Sequence, residues 1–220
     1  MSKINPDRIL YEDEHLLIVN KLAGELVVAA DGGGKLPLYD FLHKNYPGLR
    51  VMHRLDFGTS GVLVFAKDAE SLKRVRESKF EGWIKRYRMI ASGHMEQKVG
   101  SIRKPLPART HKDLVDAVTH YTVLKTFRDA SYVETQIETG RKHQIRQHMK
   151  SIGHPLVLDP LYGDPRRDRS FKKHFKYRRF FLHAFALEFP HPMTGKKLSV
   201  IAPLPKSFQE ALDALSAKHT

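Results

Sequence analysis

Short runs of alternating or continuous apolar residues dominate this chain, and they do not take turns with helical segments in any regular order. Segments 9–12, 16–21, 61–67, 83–91, 117–127, 132–139, 180–189 and 197–202 read as strands. In 83–91, Trp83, Lys85, Tyr87, Met89 and Ala91 fall on one side and Ile84, Arg86, Arg88 and Ile90 on the other, as pleating requires. Helical periodicity is confined to 37–45, 69–80, 141–152 and 207–217, with Ile145, His148, Met149 and Ile152 sharing one face of the third. Strands that outnumber helices without strand–helix alternation argue for an α+β fold, a mixed and mainly antiparallel sheet with flanking helices. Segments 31–35 and 99–113 read as loops. No repeat or long linker divides the chain, so one domain over residues 1–220 is expected.

Charge narrows the function. Lys and Arg number 38 against 24 Asp and Glu, a net charge of +14. A field of that sign attracts polyanions and speeds their encounter, nucleic acid ahead of an anionic membrane surface. The plainer reading is a basic protein with no polyanion partner. The absence of cysteine excludes disulfides, thiolate metal sites and cysteine nucleophiles. No apolar run approaches the ~20 residues of a spanning helix, and the first residues lack a signal-type apolar stretch, so a cytoplasmic protein without a membrane partner is expected.

Four clusters carry chemistry. Val51–Gly61 contains Asp56 with His53 and Arg54 as basic neighbours, Gly58 and Gly61 for tight turns, and Thr59 and Ser60 to hydrogen-bond the loop. Alone, Asp56 reads better as a turn cap. Glu138–His148 crowds Arg141, Lys142, His143, Arg146 and His148 at a helix start, which suits a phosphate or a carboxylate. Five residues separate its two histidines, about 500° around a helix, so they do not converge on one metal ion. Tyr87, between Arg86 and Arg88, can stack on a base, though periodicity alone favours a core tyrosine on the face of Trp83 and Met89. Segment 164–179 interleaves basic residues, Lys172, Lys173 and Lys176 among them, with Phe171, Phe175 and Tyr177, which suits looped RNA or a solvated loop about equally.

Taken in order, these clusters resemble the RluA-type family of RNA pseudouridine synthases. The residues that carry the resemblance are His53-Arg54-Leu55-Asp56 with Thr59-Ser60-Gly61, Lys85-Arg86-Tyr87, Gly140-Arg141-Lys142-His143-Gln144-Ile145-Arg146-Gln147-His148, His154-Pro155 with Asp159 and Tyr162-Gly163, and Leu182-His183-Ala184 with His191-Pro192. The opening segment from Tyr11 to Lys21 fits as well, and the likeness runs from about residue 9 to 205. Two positions depart: Leu22 stands where the family has proline, and Leu158 stands where it has glycine before Asp159, which alters local turns.

The resemblance implies an active-site cleft across the sheet, no metal and no organic cofactor. Uridine in a structured RNA, a ribosomal or transfer RNA stem-loop, would be flipped out and isomerised, with Asp56 as the reacting carboxylate. It further implies that Tyr87 stacks under the base and that Arg141 pairs with Asp56. Arg54 would fill the space the base vacates, and Ile145 and Leu182 would wall the pocket. His53 and Thr59 are counted with the substrate-binding residues, as are Lys172, Lys173 and Lys176. The catalytic pattern begins almost at once, so no N-terminal accessory RNA-binding domain is expected, nor an obligate protein partner. Without a long heptad pattern the protein reads as a monomer. The rivals are a non-catalytic RNA-binding protein, which would not need the Asp–Tyr–Arg set, and a metal-dependent nuclease, which no ligand spacing supports.

Overall fold

A computed structural model describes residues 4–29, 36–108, 113–174 and 179–217. The chain forms two compact units, one of residues up to Ile84 with Ala184–Pro203, the other of Lys85–His183 with Leu204 onward. In chain order the first contains β1 (Ile9–Glu12), β2 (Leu16–Lys21), α1 (Leu38–His43), β3 (Arg50–Val51), β4 (Ser60–Ala66) and α2 (Ala69–Glu77). The second follows with β5 (Ile84–Ser92), β6 (Val99–Arg103), β7 (Leu106–Pro107), β8 (Leu114–Val115), β9 (Val118–Thr126), β10 (Ala130–Ile137), α3 (Gln144–Ser151) and α4 (Pro165–His174). The chain then passes through β11 (Leu182–Pro190) and β12 (Lys197–Ile201), mainly first-unit strands, and ends in α5 (Lys206–Ala217) in the second. Antiparallel strand pairing prevails, as the strand-rich pattern predicts.

In the first unit β1, β2, β4 and β11 lie side by side, with β12 on β11 and β3 on β4. β4 is buried at every position. Its alternate residues Val62, Val64 and Ala66 join Leu16, Ile18, Trp83, Leu187 and Phe189 in one apolar cluster. Gly61, the second residue of β4, admits no other residue: a Cβ there would stand 2.2 Å from the Ala184 carbonyl oxygen. Asp68 caps α2 by accepting from the Ser71 amide at 2.7 Å, and Leu72 and Val75 enter the cluster. The helix stops at Glu77 rather than running to residue 80, because Lys79 and Phe80 both take left-handed backbone (φ 51° and 62°).

The second unit is the antiparallel sheet β5–β10–β9–β6, in which Tyr87 faces Thr135 and Thr135 faces Tyr121. On α5, Phe208, Ala211, Leu212 and Leu215 pack with Ile90, Phe127, Ala130, Val157, Leu158 and Phe181. Burial of each large apolar side chain there contributes roughly 1.5–3 kcal/mol.

Three further expectations about local structure change. Segment 99–113, read as a loop, supplies β6 and β7 before residues 109–112, which lie outside the described residues. Segment 164–179 contains a helix, α4. The helix expected from residue 141 begins at Gln144, because His143 is left-handed (φ 54°). The Gln144 side chain accordingly holds the approach: its Oε1 accepts from the Thr139 hydroxyl at 2.7 Å and the Arg141 amide at 3.1 Å.

Candidate active site

Asp56 lies in the loop between β3 and β4, partly exposed. That loop is built on Lys21, the last residue of β2, whose side chain is fully buried. Its ammonium donates to four backbone carbonyls: Thr59 at 2.6 Å, Leu22 at 3.1 Å, Asp56 at 3.2 Å and Phe57 at 3.4 Å. A buried ammonium needs acceptors, and three of these belong to the Asp56 loop, so the loop is drawn around the charge. The Thr59 amide donates to the Asp56 carbonyl at 3.0 Å, and the Gly24 amide to that of Phe57 at 2.7 Å. Lys21 carries a role that motif reading did not assign; its signal was a lysine closing a strand that begins with four apolar residues.

The other first-unit positions serve unequal parts. His53 accepts the Val64 amide on Nε2 at 3.1 Å and meets the Trp83 ring edge-on, which fixes the start of the loop. Thr59 is buried and shapes the loop through its backbone, while Arg54 is exposed.

In the second unit Tyr87 is nearly buried on β5. Lys85, two residues before it, points to the same face, and burial pushes its ammonium below the usual lysine range. Ile145, on α3, and Leu182, at the start of β11, are both buried. Arg141 precedes α3, is exposed, and donates from Nε to the Asp116 carbonyl at 3.3 Å. The buried arginine of the same motif is Arg146, with 6% side-chain exposure. Its Nε and Nη2 donate to the two Asp159 oxygens at 2.6 and 2.8 Å, and its guanidinium lies over Phe180 and Tyr162. Burial pushes the Asp159 carboxyl up, but Arg146 and the amides of Leu161 and Tyr162 bring it below its ordinary value.

His148 anchors α3 to the sheet. Its Nε2 faces the Lys104 carbonyl at 2.9 Å and so carries the proton, while Nδ1 accepts from the Thr119 hydroxyl at 2.9 Å. Burial lowers its pKa. Lys172 is exposed on α4 and Lys173 belongs to the same helix; Lys176 lies outside the described residues. Among the described residues no helix is long and apolar enough to cross a membrane.

Comparison with known proteins identifies the family. Residues 15–151 match the RNA pseudouridylate synthase family. Ribosomal large subunit pseudouridine synthase C of Buchnera aphidicola is 35% identical, over 95% of this chain and 71% of its own. Ribosomal large subunit pseudouridine synthase D of Escherichia coli is 35% identical, over 96% and 71%. Among solved structures, human RNA pseudouridylate synthase domain containing 4 superposes with a TM-score of 0.79 at 25% identity, over 94% of this chain and 92% of that one.

Proposed function

The chain belongs to the RNA pseudouridylate synthase family and is an RNA-acting isomerase of that type, and on that premise we propose that its substrate is a uridine of large-subunit ribosomal RNA, with Asp56 as the reacting carboxylate. Relatives named for the large ribosomal subunit, matched along nearly the whole chain, favour ribosomal over transfer RNA. The observation that carries the role of Asp56 is the Lys21-centred loop, in which the carbonyls of Asp56, Phe57 and Thr59 converge on one buried ammonium. A carboxylate on so fixed a backbone is preorganised.

The reaction breaks the bond from the ribose to N1 of uracil, turns the detached base, and joins the ribose to C5. Nothing leaves except the C5 proton, so a carboxylate acting as nucleophile or base meets the chemical need. The uridine is flipped out first, and stacking on Tyr87 offsets part of the few kcal/mol that unstacking costs. Arg141, expected to pair with Asp56, is exposed and is read as meeting the RNA backbone, and Arg146, buried against Asp159, is read as the arginine of the reaction side. Arg54 fills the space the base vacates, and Lys172, an exposed cation, meets phosphate.

Tritium release tests this reading. The protein is incubated with large-subunit ribosomal RNA and with transfer RNA, each carrying 5-tritiated uridine. Release from the ribosomal RNA is expected. Release from transfer RNA alone would overturn the substrate class, and tight binding without release from either would favour a binding protein.

A further inference from the structure

One buried carboxylate in the second unit has no part in the chemistry above, and its contacts lead to Arg146. Asp168 lies on α4 and is 7% exposed. Its Oδ1 accepts the amide of Leu158 at 2.8 Å, a contact buried at both ends. Leu158 is in the left-handed region (φ 62°), where a β-carbon is disfavoured. Its side chain is buried in the cluster with Ile90, Val157, Phe181 and Phe208, so the residue cannot relax outward.

The next residue is Asp159, both of whose oxygens hold Arg146. Gly163 closes the turn by donating its amide to the Asp159 carbonyl at 2.9 Å. A Cβ on Gly163 would stand 2.4 Å from that carbonyl oxygen and 2.9 Å from Asp168 Oδ2, so its hydrogen lets Asp168 approach. Asp164 accepts the Arg166 amide at 2.9 Å and so starts the helix that presents Asp168. The Phe171 ring meets Phe181 edge-on at 6.0 Å, which seats the same helix.

We propose that Asp168 is a positioning residue for the isomerisation: it fixes the left-handed Leu158, hence the Asp159 carboxylate, hence the Arg146 guanidinium. The proposal rests on the assignment of Arg146 to the reaction side. The carboxylate–amide bond holds a left-handed residue that carries a β-carbon, and it makes α4 part of the support of the site. The required property is an acceptor at Oδ1 rather than a charge. Burial pushes the Asp168 carboxyl above its ordinary value, which suits a neutral acceptor equally well.

The test compares Asp168→Ala and Asp168→Asn in the full chain by two readouts. The first is single-turnover isomerisation against RNA affinity. Asp168→Ala is expected to slow the chemical step roughly tenfold or more while the RNA Kd stays within about twofold, and Asp168→Asn to stay close to wild type. The second needs no activity: hydrogen exchange at Arg146 Nε–H, followed by NMR with the Arg88 Nε–H as control. Exchange at Arg146 should quicken in Asp168→Ala alone, with Arg88 unchanged. Unaltered exchange at Arg146 in Asp168→Ala would overturn the proposal whatever the activity. So would equal losses in the alanine and asparagine variants, or acceleration at both arginines, which would mark general loosening. If exchange responds as expected but the isomerisation rate does not, positioning of Arg146 stands and its part in the reaction fails.

Discussion

The Asp56 loop and the Arg146 segment each hold a candidate site residue with buried charge, but by opposite means. In the loop, the Lys21 ammonium organises backbone, and the carbonyls of residues 22, 56, 57 and 59 supply dipoles around it. In the segment, Arg146 meets the full charge of Asp159 in two hydrogen bonds, and each side chain fixes the other. Carbonyls are shared among several residues, so loss of the lysine frees a stretch of chain. Loss of either member of the ion pair leaves a buried charge instead. The first arrangement is therefore expected to fail in shape and the second in energy.

The largest effect expected is on the ion pair. Asp159→Ala should destabilise the protein by about 3–5 kcal/mol, read by urea unfolding, because Arg146 stays buried without its counter-charge. A loss of about 1 kcal/mol or less would show the pair to be effectively solvated.

Next is the loop. Lys21→Met keeps the length and apolar stem and removes the donors, so a loss on the order of 2–3 kcal/mol is expected together with a fall in isomerisation rate. Thermal unfolding and single-turnover rates measured on the same sample separate the two. An intact rate in a destabilised protein would remove Lys21 from the support of Asp56.

A third effect is on pH dependence. The Asp159 carboxyl is lowered in the folded state, so its stabilisation is present above the unfolded value of about 3.9 and is lost as pH falls through the lower folded value. Asp13 follows the same sign: burial raises it, but the Tyr11 hydroxyl, the Leu16 and His15 amides and His191 outweigh that. His148 is also lowered, so the unfolded chain takes up its proton first, near pH 6.5, and stability starts to fall below that point. Unfolding midpoints across pH 3–8 (about that range) should show a shallow decline below about 6.5 and a steeper one in the carboxylate range. The shallow part should vanish in His148→Gln.

The smallest effect expected is at the surface. Lys172→Gln should change stability by less than about 0.5 kcal/mol. It should lower the slope of log RNA affinity against log salt by about one unit. An unchanged slope would take α4 out of the RNA contact and leave it only its part in seating Asp168.

Much of this was legible from residue order because local pattern and burial agreed. β1 and β2 fall on the residues that alternation marks out, and the His53–Gly61 and Gly140–His148 motifs name both regions compared above. What was missed depends on tertiary contacts. Segment 164–179 is too polar to announce a helix, and α4 owes its seat to Asp164, to Asp168 on the Leu158 amide and to Phe171. The late start of α3 follows from His143 turning left-handed, a choice set by the Gln144 side chain. Periodicity treats Lys21 as the polar end of a strand, and only the return of the chain at residues 56–59 makes it a core residue. The motif was read as giving Arg141 the pairing with Asp56, and only the folded chain shows that the buried arginine of the two is Arg146.

The central claim, that Asp56 is the reacting carboxylate on a preformed loop, is tested most directly by Asp56→Asn in single-turnover tritium release, with RNA affinity measured in parallel. The expected result is no release at any enzyme excess with affinity close to wild type. Release at a rate near wild type would contradict the claim, and loss of affinity together with release would assign Asp56 to the shape of the loop instead.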